Sequence, residues 1–297
     1  MELEESRHII LPLSVNELIA ESLAIEEDEA KKAGALGYMA RALVQATLPH
    51  SKTKGDVFRR SNGAFRLTIL TDSEVIGLPY GSIPRLIIAW ISTEAVRTKS
   101  RELVLGKTLS NFMEQLDLVP TGGRWGTITR LKDQMQRLLS ASISCTYDDG
   151  NHWAIKNVQP VSKADLWWET RDPKQITMFE STLTLGEEFF KEITNNPVPI
   201  DIRALKALKR SPMALDIYCW LTYRMSYLSK ITRIPWGALE VQFGSDYSTS
   251  PQGRRDFKRA FVRELKKVLL IYTNAQVNVD SDNFILEPSS PHVLIKS

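Results

Sequence analysis

Residues 251–269 read PQGRRDFKRAFVRELKKVL and concentrate positive charge in one short segment. From Arg254 to Lys267, seven Lys or Arg side chains stand against two acids, a local charge of +5, whereas the whole chain of 297 residues carries only +3. At about 100° per residue, the apolar side chains of this segment fall on one side of a helix. They are Phe257, Ala260, Phe261, Leu265, Val268 and Leu269. The sequence therefore predicts an amphipathic helix seated on a core.

The opposite side of this helix carries a row of cations, which we name the basic face: Arg255, Arg259, Arg263, Lys266 and Lys267. At a helical rise of about 1.5 Å per residue, the row is about 15 to 20 Å long. Only Glu264 and Asp256 lie near it, although a solvated helix face normally alternates acids with bases. The scarcity of acids favours phosphate binding, and simple solvation stays open as the alternative.

The elements around this helix follow the order of a winged helix. They are a buried helix at 211–229, a short helix at 235–243, and two strands at 269–279 and 283–288 that are joined at 280–282. Ser211 is suited to cap the first of these helices and Pro212 to occupy its first turn. In a winged helix the third helix enters the major groove of DNA, and the tip of the hairpin reaches the backbone or the minor groove.

The same order of elements occurs earlier in the chain, at an offset of 130 residues. The offset places Ile87, Trp90 and Ile91 on Ile217, Trp220 and Leu221, and it places Gly123, Arg124, Leu131, Met135, Leu138 and Leu139 on Gly253, Arg254, Phe261, Leu265, Val268 and Leu269. The first copy comprises predicted helices at 82–99, 109–116 and 126–142, a strand at 101–107 and a hairpin at 142–157. Asp149-Gly150 is a strong signal for a type I′ turn at the tip of that hairpin. Shared helical periodicity alone is the alternative explanation of the match.

The predicted fold is therefore α+β, with two tandem winged-helix domains and an N-terminal helical extension. The expected boundaries are 1–62 for an acidic N-terminal helical segment and a basic loop, 63–195 for the first winged-helix domain, and 196–297 for the second. A strand is predicted from Phe65, because residues 65–70 alternate between inward and outward positions. The Pro- and Asn-rich stretch at 195–200 is expected to break the chain before the second domain.

Charge is distributed unevenly along the chain. Residues 1–35 carry a net charge of −6 and the remaining residues a net charge of +9. This polarity suggests a basic body that faces a polyanion, and a merely solvated helix end at 26–29 is the alternative. Ser14 and Glu17 form a possible capping box for a helix at 13–25. The stretch 51–63 is interpreted as a polar, basic loop that either contacts phosphates or stays solvated through Lys52, Lys54, Arg59 and Arg60.

Trp167 and Trp168 lie in a segment bounded by prolines and charged residues. Packing at the junction of the two domains is the favoured interpretation, and stacking on bases is the alternative. Residues 176–185 (ITMFESTLTL) are rich in residues that favour strands.

Several other classes of protein are disfavoured. The N-terminus does not resemble a signal peptide, and no apolar run approaches the roughly 18 residues that span a bilayer, so a cytoplasmic protein without membrane contact is expected. Cys145 and Cys219 lie among apolar neighbours and are interpreted as buried thiols, not as a disulfide or a metal site.

Signals of catalysis are weak throughout the sequence. Gly106-Lys107-Thr108 is similar to the end of a phosphate-binding loop, but the first glycine that such a loop requires would fall at Arg101. The histidines are scattered at His8, His50, His152 and His292, so they form neither a metal cluster nor a paired motif. We therefore expect no catalytic residues, no metal and no cofactor, and the chain is not expected to be an enzyme.

Three long phrases of the sequence resemble the RepA-type replication initiators of broad-host-range bacterial plasmids. They are residues 78–118, beginning LPYGSIPRL, residues 122–145, beginning GGRWGTITRL, and residues 197–224, beginning PVPIDIRAL. The resemblance covers roughly residues 65 to 295 and rests on long phrases in the same order. It implies an initiator that binds directly repeated sites (iterons) at a plasmid origin, helps to open an adjacent AT-rich duplex, and recruits the host replicative helicase and initiator proteins. It also implies a monomer–dimer equilibrium, repression of its own promoter and a part in plasmid copy control.

The DNA-facing role of the third helices carries over to Arg124, Thr127, Arg130, Arg137, Arg254, Arg255, Lys258, Arg259 and Arg263, and the basic face adds Lys266 and Lys267. Double-stranded DNA is therefore the expected partner. Two alternatives stay open. One is a winged-helix transcriptional repressor without initiator activity, and the other is an enzyme or assembly module that uses winged helices for protein contact.

Overall fold

A computed structural model of the chain describes residues 29–71 and 76–294, together with Leu18, Ser22, Leu23 and Ile25. Those four residues are helical, but the predicted capping box and most of the helix at 13–25 lie outside the described residues. The helices of the described part are α1 Arg41–Gln45, α2 Ser82–Thr98, α3 Leu109–Gln115, α4 Thr127–Leu139, α5 Glu187–Asn195, α6 Ile202–Leu208, α7 Pro212–Met225, α8 Trp236–Phe243 and α9 Pro251–Ile271.

The strands of the described part form four antiparallel sheets. They are β1 Leu36–Ala40, β2 Val57–Asn62, β3 Phe65–Leu70, β4 Glu102–Gly106, β5 Ser142–Asp148, β6 Trp153–Val158, β7 Val161–Asp165, β8 Ser181–Leu185, β9 Pro197–Asp201, β10 Thr232–Pro235, β11 Val277–Val279 and β12 Asn283–Leu286. The strand orders are β1-β9, β2-β3-β5-β6, β4-β8-β7 and β10-β12-β11. The predicted mixture of helices and sheets is confirmed.

One order of elements occurs twice. The first unit consists of α2, β4, α3, α4, β7 and β8, with β5 and β6 inserted between α4 and β7, and the second unit runs α7, β10, α8, α9, β11, β12 without an insertion. In each unit the strand after the first helix pairs with the last strand of the unit, giving the matching orders β4-β8-β7 and β10-β12-β11. The helices α2 and α7 begin 130 residues apart, as the sequence offset predicts.

The hairpin at 142–157 forms, but its predicted place in the first unit is wrong. Strand β5 pairs with β3, in a register that joins Leu67 to Cys145 and Ile69 to Ile143, so the hairpin extends a separate four-stranded sheet. Its tip is a four-residue loop from Asp149 to His152, longer than a two-residue turn. The hairpin beside β4 is formed by β7 and β8 instead. Strand partners are chosen by matching buried faces that lie far apart in sequence, and a local pattern does not encode that choice.

Two predicted irregular segments are strands. Much of the predicted basic loop at 51–63 is β2, and Arg60 within it is only 4% exposed, with its guanidinium 5.2 Å from the centre of the Phe58 ring. Burial lowers the pKa of Arg60 to about 10. The predicted break at 195–200 contains β9, which pairs with β1. The chain therefore enters the second unit through a strand held by the N-terminal part of the molecule.

The two cysteines differ in burial. Cys219 is buried within α7, as predicted, whereas Cys145 is only half-buried. Burial raises the pKa of the Cys145 thiol to about 12.

A buried ion pair joins the first helices of the two units. Arg85 of α2 donates from Nε and Nη2 to the two carboxylate oxygens of Asp216 of α7, at 2.7 and 2.6 Å. The remaining donors of Arg85 reach the backbone oxygens of Leu48, Pro49 and Gly81. Arg85 and Asp216 are 3% and 7% exposed, so this charge pair lies inside the molecule.

His50 completes the pair by donating from Nε2 to Asp216 Oδ2 at 2.8 Å. Burial alone would raise the pKa of the Asp216 carboxyl, but the charge of Arg85 and the hydrogen bonds from His50 and Arg85 hold that pKa below its usual value. Asp216 is therefore charged and fully occupied at neutral pH, as a buried charge has to be.

Replacing Asp216 with Ala should unfold the protein more easily, because it leaves the Arg85 guanidinium buried without its carboxylate. A loss of about 3 to 5 kcal/mol in the free energy of unfolding is expected from urea denaturation. Replacing both partners, as Arg85→Met with Asp216→Leu, should cost less than Asp216→Ala alone.

Glu94→Ala is the matched control, because it breaks the more exposed pair that Glu94 makes with Arg97 on the same helix. That change should cost less than about 1 kcal/mol. Equal losses from the two single substitutions would contradict a special role of the buried pair.

Candidate nucleic-acid interface

Helix α9 begins at a well-formed cap. The Ser250 hydroxyl accepts a hydrogen bond from the Gly253 backbone amide at 3.1 Å, and Pro251 occupies the first turn. The backbone of the helix passes so close to the preceding loop that a Cβ on Gly253 would lie 2.0 Å from the Ser248 carbonyl oxygen. The position therefore requires glycine, and the start of α9 is fixed against the segment before it.

The apolar side of α9 is buried as predicted. Phe257, Phe261, Leu265 and Val268 are each at most 3% exposed, whereas Leu269 is only half-buried. Phe261 makes edge-to-face contacts with the rings of Trp236, Phe243 and Phe284, which come from α8 and β12. This aromatic cluster fixes the orientation of the helix, and so it fixes where the opposite side points.

Most of the basic face lies in solvent. Arg255, Arg259, Arg263 and Lys266 are exposed, and Lys267 is half-buried. The side chains of Arg259 and Arg263 are 74% and 65% exposed. Three turns of helix thus present cations outward, in the order that the periodicity predicts.

Glu264 does not lie on the surface beside these cations, which corrects its predicted place. It is 4% exposed and accepts hydrogen bonds from Arg263 Nε and Lys267 Nζ, both at 2.8 Å. Burial would raise the pKa of Glu264, but the hydrogen bonds from Lys267, Arg263 and Ser211 lower it below its usual value. A charged carboxylate therefore lies beneath the basic face and orients two of its cations.

The first turns of α9 carry cations that are loosely paired. Arg254 lies 3.4 Å from a carboxylate oxygen of Glu240, and Arg259 lies 3.3 Å from one of Asp256. Arg255 donates to Gln252 Oε1 at 2.8 Å, which neutralises no charge. The contacts of Arg255 and Arg259 are exposed and contribute little energy, whereas Glu240, the partner of Arg254, is only 13% exposed.

Lys258 links α9 to the turn of the hairpin that follows it. Its Nζ donates to the backbone oxygens of Asp280 and Ser281, at 2.8 and 2.9 Å, and lies 4.7 Å from the centre of the Trp236 ring. The turn is also closed from within, because Asp280 accepts the backbone amides of Asn283 and Asp282, bonds that lower the pKa of Asp280. Lys258 therefore positions the hairpin relative to the helix.

In the first unit, the exposed predicted residues lie at the start of α4. Arg124 and Arg130 are exposed, and the guanidinium of Arg124 lies 5.1 Å from the centre of the Trp125 ring. Trp125 is itself 81% exposed. The arrangement offers a cation stacked on an indole immediately before the helix.

Thr127 is half-buried, and its hydroxyl group is already hydrogen-bonded within the protein. Its hydroxyl donates to the Val119 backbone oxygen and accepts the Thr121 backbone amide at 2.9 Å, and the Thr121 hydroxyl accepts the Thr127 amide at 2.9 Å. The two threonines thus tie the start of α4 to the segment before it. The backbone at Gly126 packs closely against the backbone at Thr121, since a Cβ on Gly126 would be 2.2 Å from the Thr121 carbonyl oxygen.

Arg137 points inward near the other end of α4. Its side chain is 13% exposed, donates to Asp133 at 2.8 Å, and lies with its guanidinium 5.6 Å from the centre of the Tyr80 ring. It also donates to the Leu78 backbone oxygen. The structure therefore brings Arg124 and Arg130 to the surface of the first unit and holds Thr127 and Arg137 within its framework.

Residues 78–236, more than half of the sequence, match the family of plasmid-encoded RepA proteins. The chain belongs to that family. The match extends from the segment before α2 to the first residue of α8, so it covers the whole first unit and the first helix and strand of the second.

Two solved structures resemble the fold of this chain at low sequence identity. Domains 2 and 3 of RctB, in a selenomethionine derivative, match at 10% identity with a TM-score of 0.57, over 83% of this chain and 98% of that chain. A second structure of RctB domains 2–3 matches at 11% identity with a TM-score of 0.51, over 84% and 97%. At such identities the likeness establishes the fold alone. A search of curated proteins found no match to the sequence.

One exposed feature of the first unit was not predicted. The connection between β7 and β8 presents Trp167, Ile176, Met178 and Phe179 to solvent, and Met178 is 88% exposed. Neighbouring Trp168 stacks on Phe112 of α3 at 5.0 Å between ring centres. The two tryptophans therefore belong to the first unit and not to a junction between units. The sequence signal was a β-rich run, which does not distinguish an exposed connection from a strand.

No helix of the described residues is long and apolar enough to cross a membrane. The described residues contain no group of three or more His, Cys, Asp or Glu that could hold a metal ion.

Thr127→Ala should lower the melting temperature, because it removes both hydroxyl bonds that tie α4 to the segment before it. A loss of about 1 kcal/mol in the free energy of unfolding is typical of a removed hydrogen bond. Thr127→Ser keeps the hydroxyl and should retain the wild-type melting temperature. Unchanged melting of Thr127→Ala, combined with weaker DNA binding, would instead indicate that Thr127 contacts DNA directly.

Proposed function

We propose that the chain is a plasmid replication initiator that binds directly repeated origin sites in double-stranded DNA. Membership of the plasmid-encoded RepA family supports this role. The observation that carries the DNA-binding part is the basic face of α9, where four exposed cations lie in a row above a buried apolar side. A fixed row of cations of this length matches the negative charge of a DNA groove.

We infer that each unit is a winged helix. The order of helix, strand, helix, helix and two strands supports this assignment, as do the equivalent sheet orders in the two units. Helices α4 and α9 are then the third helices, which lie in the major groove in proteins of this type. The hairpins β7–β8 and β11–β12 are the wings. The expected boundaries at 63–195 and 196–297 assign one such domain to each unit.

The cations of α9 divide into two roles by position. Arg254 and Arg255, near the start of the helix, reach guanine edges, because the guanidinium fork donates to O6 and N7 together. Arg259, Arg263 and Lys266 lie farther along and pair with phosphates. In the first unit Arg124 and Arg130 take the corresponding positions, while Thr127 and Arg137 act by holding the helix.

Two units in one chain raise the affinity for one DNA site. Covalent linkage gives the second unit a high effective concentration once the first has bound. Third helices at the half-site spacing of about 10 base pairs would cover a site of roughly 20 base pairs. Repeated sites then align several copies, and the combined deformation promotes melting of a flexible DNA tract beside them.

The host replicative helicase and initiator proteins are the proposed partners of the assembled copies in the bacterial cytoplasm. A monomer–dimer equilibrium regulates the number of copies that are free to bind the repeated sites.

Arg255→Ala combined with Arg259→Ala should weaken binding to an origin duplex at least tenfold, because two of the row's outward cations are lost. The helical circular dichroism and the melting temperature should remain near the wild-type values, since both side chains are exposed. Lys31→Ala with Lys32→Ala is the control, because it removes the same charge from an exposed turn before β1. Equal weakening by both pairs would mean that net charge alone, and not the basic face, determines binding.

Origin-dependent plasmid maintenance separates an initiator from a repressor. A test plasmid that carries the origin but lacks the gene should be maintained when the protein is supplied in trans, and it should be lost with the Arg255→Ala, Arg259→Ala variant. Repression of a promoter without any plasmid maintenance would overturn the initiator role and leave the DNA-binding role intact.

A further inference from the structure

The four-stranded sheet β2-β3-β5-β6 belongs to neither repeated unit and has one face in solvent. Its inner face is buried through Phe58, Leu67, Ile69, Ile143 and Val158. Because side chains alternate along a strand, the other positions form one outer face. These positions are Val57, Arg59, Ser61, Arg66, Thr68, Leu70, Ser142, Ser144, Thr146, Asp148, Trp153, Ile155 and Asn157, and all of them are exposed or half-buried.

The centre of this outer face is polar and cationic. Arg59 is paired across the strands with Thr68, and Arg66 is flanked by Ser61 on one side and Thr146 on the other. Arg59 and Arg66 are therefore diagonal neighbours on adjacent strands, and side chains in such positions lie about 7 to 8 Å apart. Within the described residues, neither arginine makes an ion pair, in contrast to Arg259 and Arg263 of α9. The two charges are therefore available to an external anion.

Asp148 is the one carboxylate among those outer positions, and it lies at the end of the face. Its carboxylate already accepts the Gly150 backbone amide at 3.1 Å, within the turn of the hairpin. Lys52 and Lys54 are exposed in the segment that leads into β2, at the opposite end of the sheet. Asp56 is exposed in the same segment, and Glu187 and Glu188 lie beside Ser144 and Asn157 at that end. Asp148 pairs across the strands with Trp153, so the positive charge is concentrated at the centre of the face, on Arg59 and Arg66.

The edge strand β6 adds an aromatic surface. Trp153 is 62% exposed and Ile155 is 49% exposed, two positions apart on the same side of the strand. In a duplex the faces of the bases are stacked on one another, whereas a single strand offers them to an exposed indole. A flat surface with cations at its centre and an indole at its edge therefore fits a single strand better than a duplex.

The dimensions of the face are adequate for a short strand of nucleic acid. Three gaps of about 4.8 Å between strands make it about 14 Å wide, and strands of six residues make it about 20 Å long. Four-stranded sheets that bind single strands elsewhere stack two or three bases on their exposed side chains. The bonded Ser144 and Asn157 side chains, 2.7 Å apart, add polar groups that can reach sugar and base edges.

We propose that this outer face, through Arg59, Arg66 and Trp153, binds single-stranded DNA. The arginines contact the phosphates, and the indole stacks on an unpaired base. The biological source of the strand rests on the proposed initiator function, since opening an origin releases single strands beside the bound protein. The binding itself needs only the sheet.

A second copy of the chain fits this face less well. The centre of a stable protein interface is depleted of charged residues, whereas the centre here holds two unpaired arginines among hydroxyl groups. Burying those guanidiniums against another copy would require partner carboxylates, and the same face brings only Asp148, at its end.

The test measures the fluorescence anisotropy of a labelled oligothymidylate of about 15 nucleotides, within the usual size range of single-strand sites. Trp153→Ala should weaken binding about tenfold, and Trp153→Phe should recover most of the loss because it restores an aromatic ring. Arg59→Ala with Arg66→Ala should lower the slope of log affinity against log salt concentration by about 1.4, for two lost phosphate contacts. Circular dichroism of each variant confirms that it is folded.

Two controls separate this site from the duplex-binding helix. Trp167→Ala removes another half-exposed tryptophan, in the connection between β7 and β8, and should leave oligothymidylate binding unchanged. Arg255→Ala with Arg259→Ala should lose duplex binding and keep oligothymidylate binding. If instead that variant loses both, the single strand occupies α9 and the sheet proposal fails, although the proposed function survives.

Two further results would overturn the proposal. One is oligothymidylate binding that Trp153→Ala and the Arg59→Ala, Arg66→Ala pair both leave at the wild-type level. The other is a sedimentation-velocity mass of these variants that differs from the mass of the wild-type protein while oligothymidylate binding is unchanged. That result would assign the face to contact between copies of the chain. Loss of duplex binding in the α9 variant would stand in either case, so the two proposals fail independently.

Discussion

The architecture depends on a charge pair that is withdrawn from water. Arg85 and Asp216 lie on the two helices that begin the repeated units, and the donors of Arg85 also hold the loop at 48–50. Two charges in such a place are tolerable only when every donor has an acceptor, so the pair fixes the relative position of three segments at once. An apolar contact would allow the helices to slide, whereas a bidentate bond permits one arrangement. Helix α4 packs on α2, and α9 packs on α7, so both third helices lie against the helices that this pair joins.

The same principle operates at a smaller scale beneath α9. Glu264 is buried and charged, and it holds Arg263 and Lys267 from below. A long side chain loses conformational entropy when it binds a phosphate. Because Glu264 already restricts Arg263 and Lys267 in the free protein, these two side chains lose less entropy on binding. The carboxylate also weakens the local positive potential. For the proposed DNA-binding function, this arrangement favours contacts in a defined geometry over general attraction of anions.

The elements that were predictable are those whose information is local. The starts of α2 and α7 followed from apolar residues, the Ser211 cap and Pro212, although α7 ends at Met225 and not at the predicted residue 229. The exposure of Arg255 and Arg259 followed from helical periodicity. The partner of the hairpin β5–β6 did not, because two hairpins compete for pairing and their local patterns are alike. The inward directions of Glu264 and Arg137 also escaped prediction. Their partners Ser211 and Tyr80 come from other elements, and nothing in a helical projection reports them.

The pairing of β1 with β9 has a consequence for how the molecule is made. Leu36–Ala40 leaves the ribosome early, yet its partner Pro197–Asp201 is synthesised about 160 residues later. At translation rates of about 5 to 20 residues per second, the early strand waits roughly ten to thirty seconds with its hydrogen-bonding edge uncovered. The nascent chain therefore cannot mature strictly from front to back. Strand β1 stays without its partner until β9 has been synthesised, and during that interval its exposed edge is accessible to a chaperone.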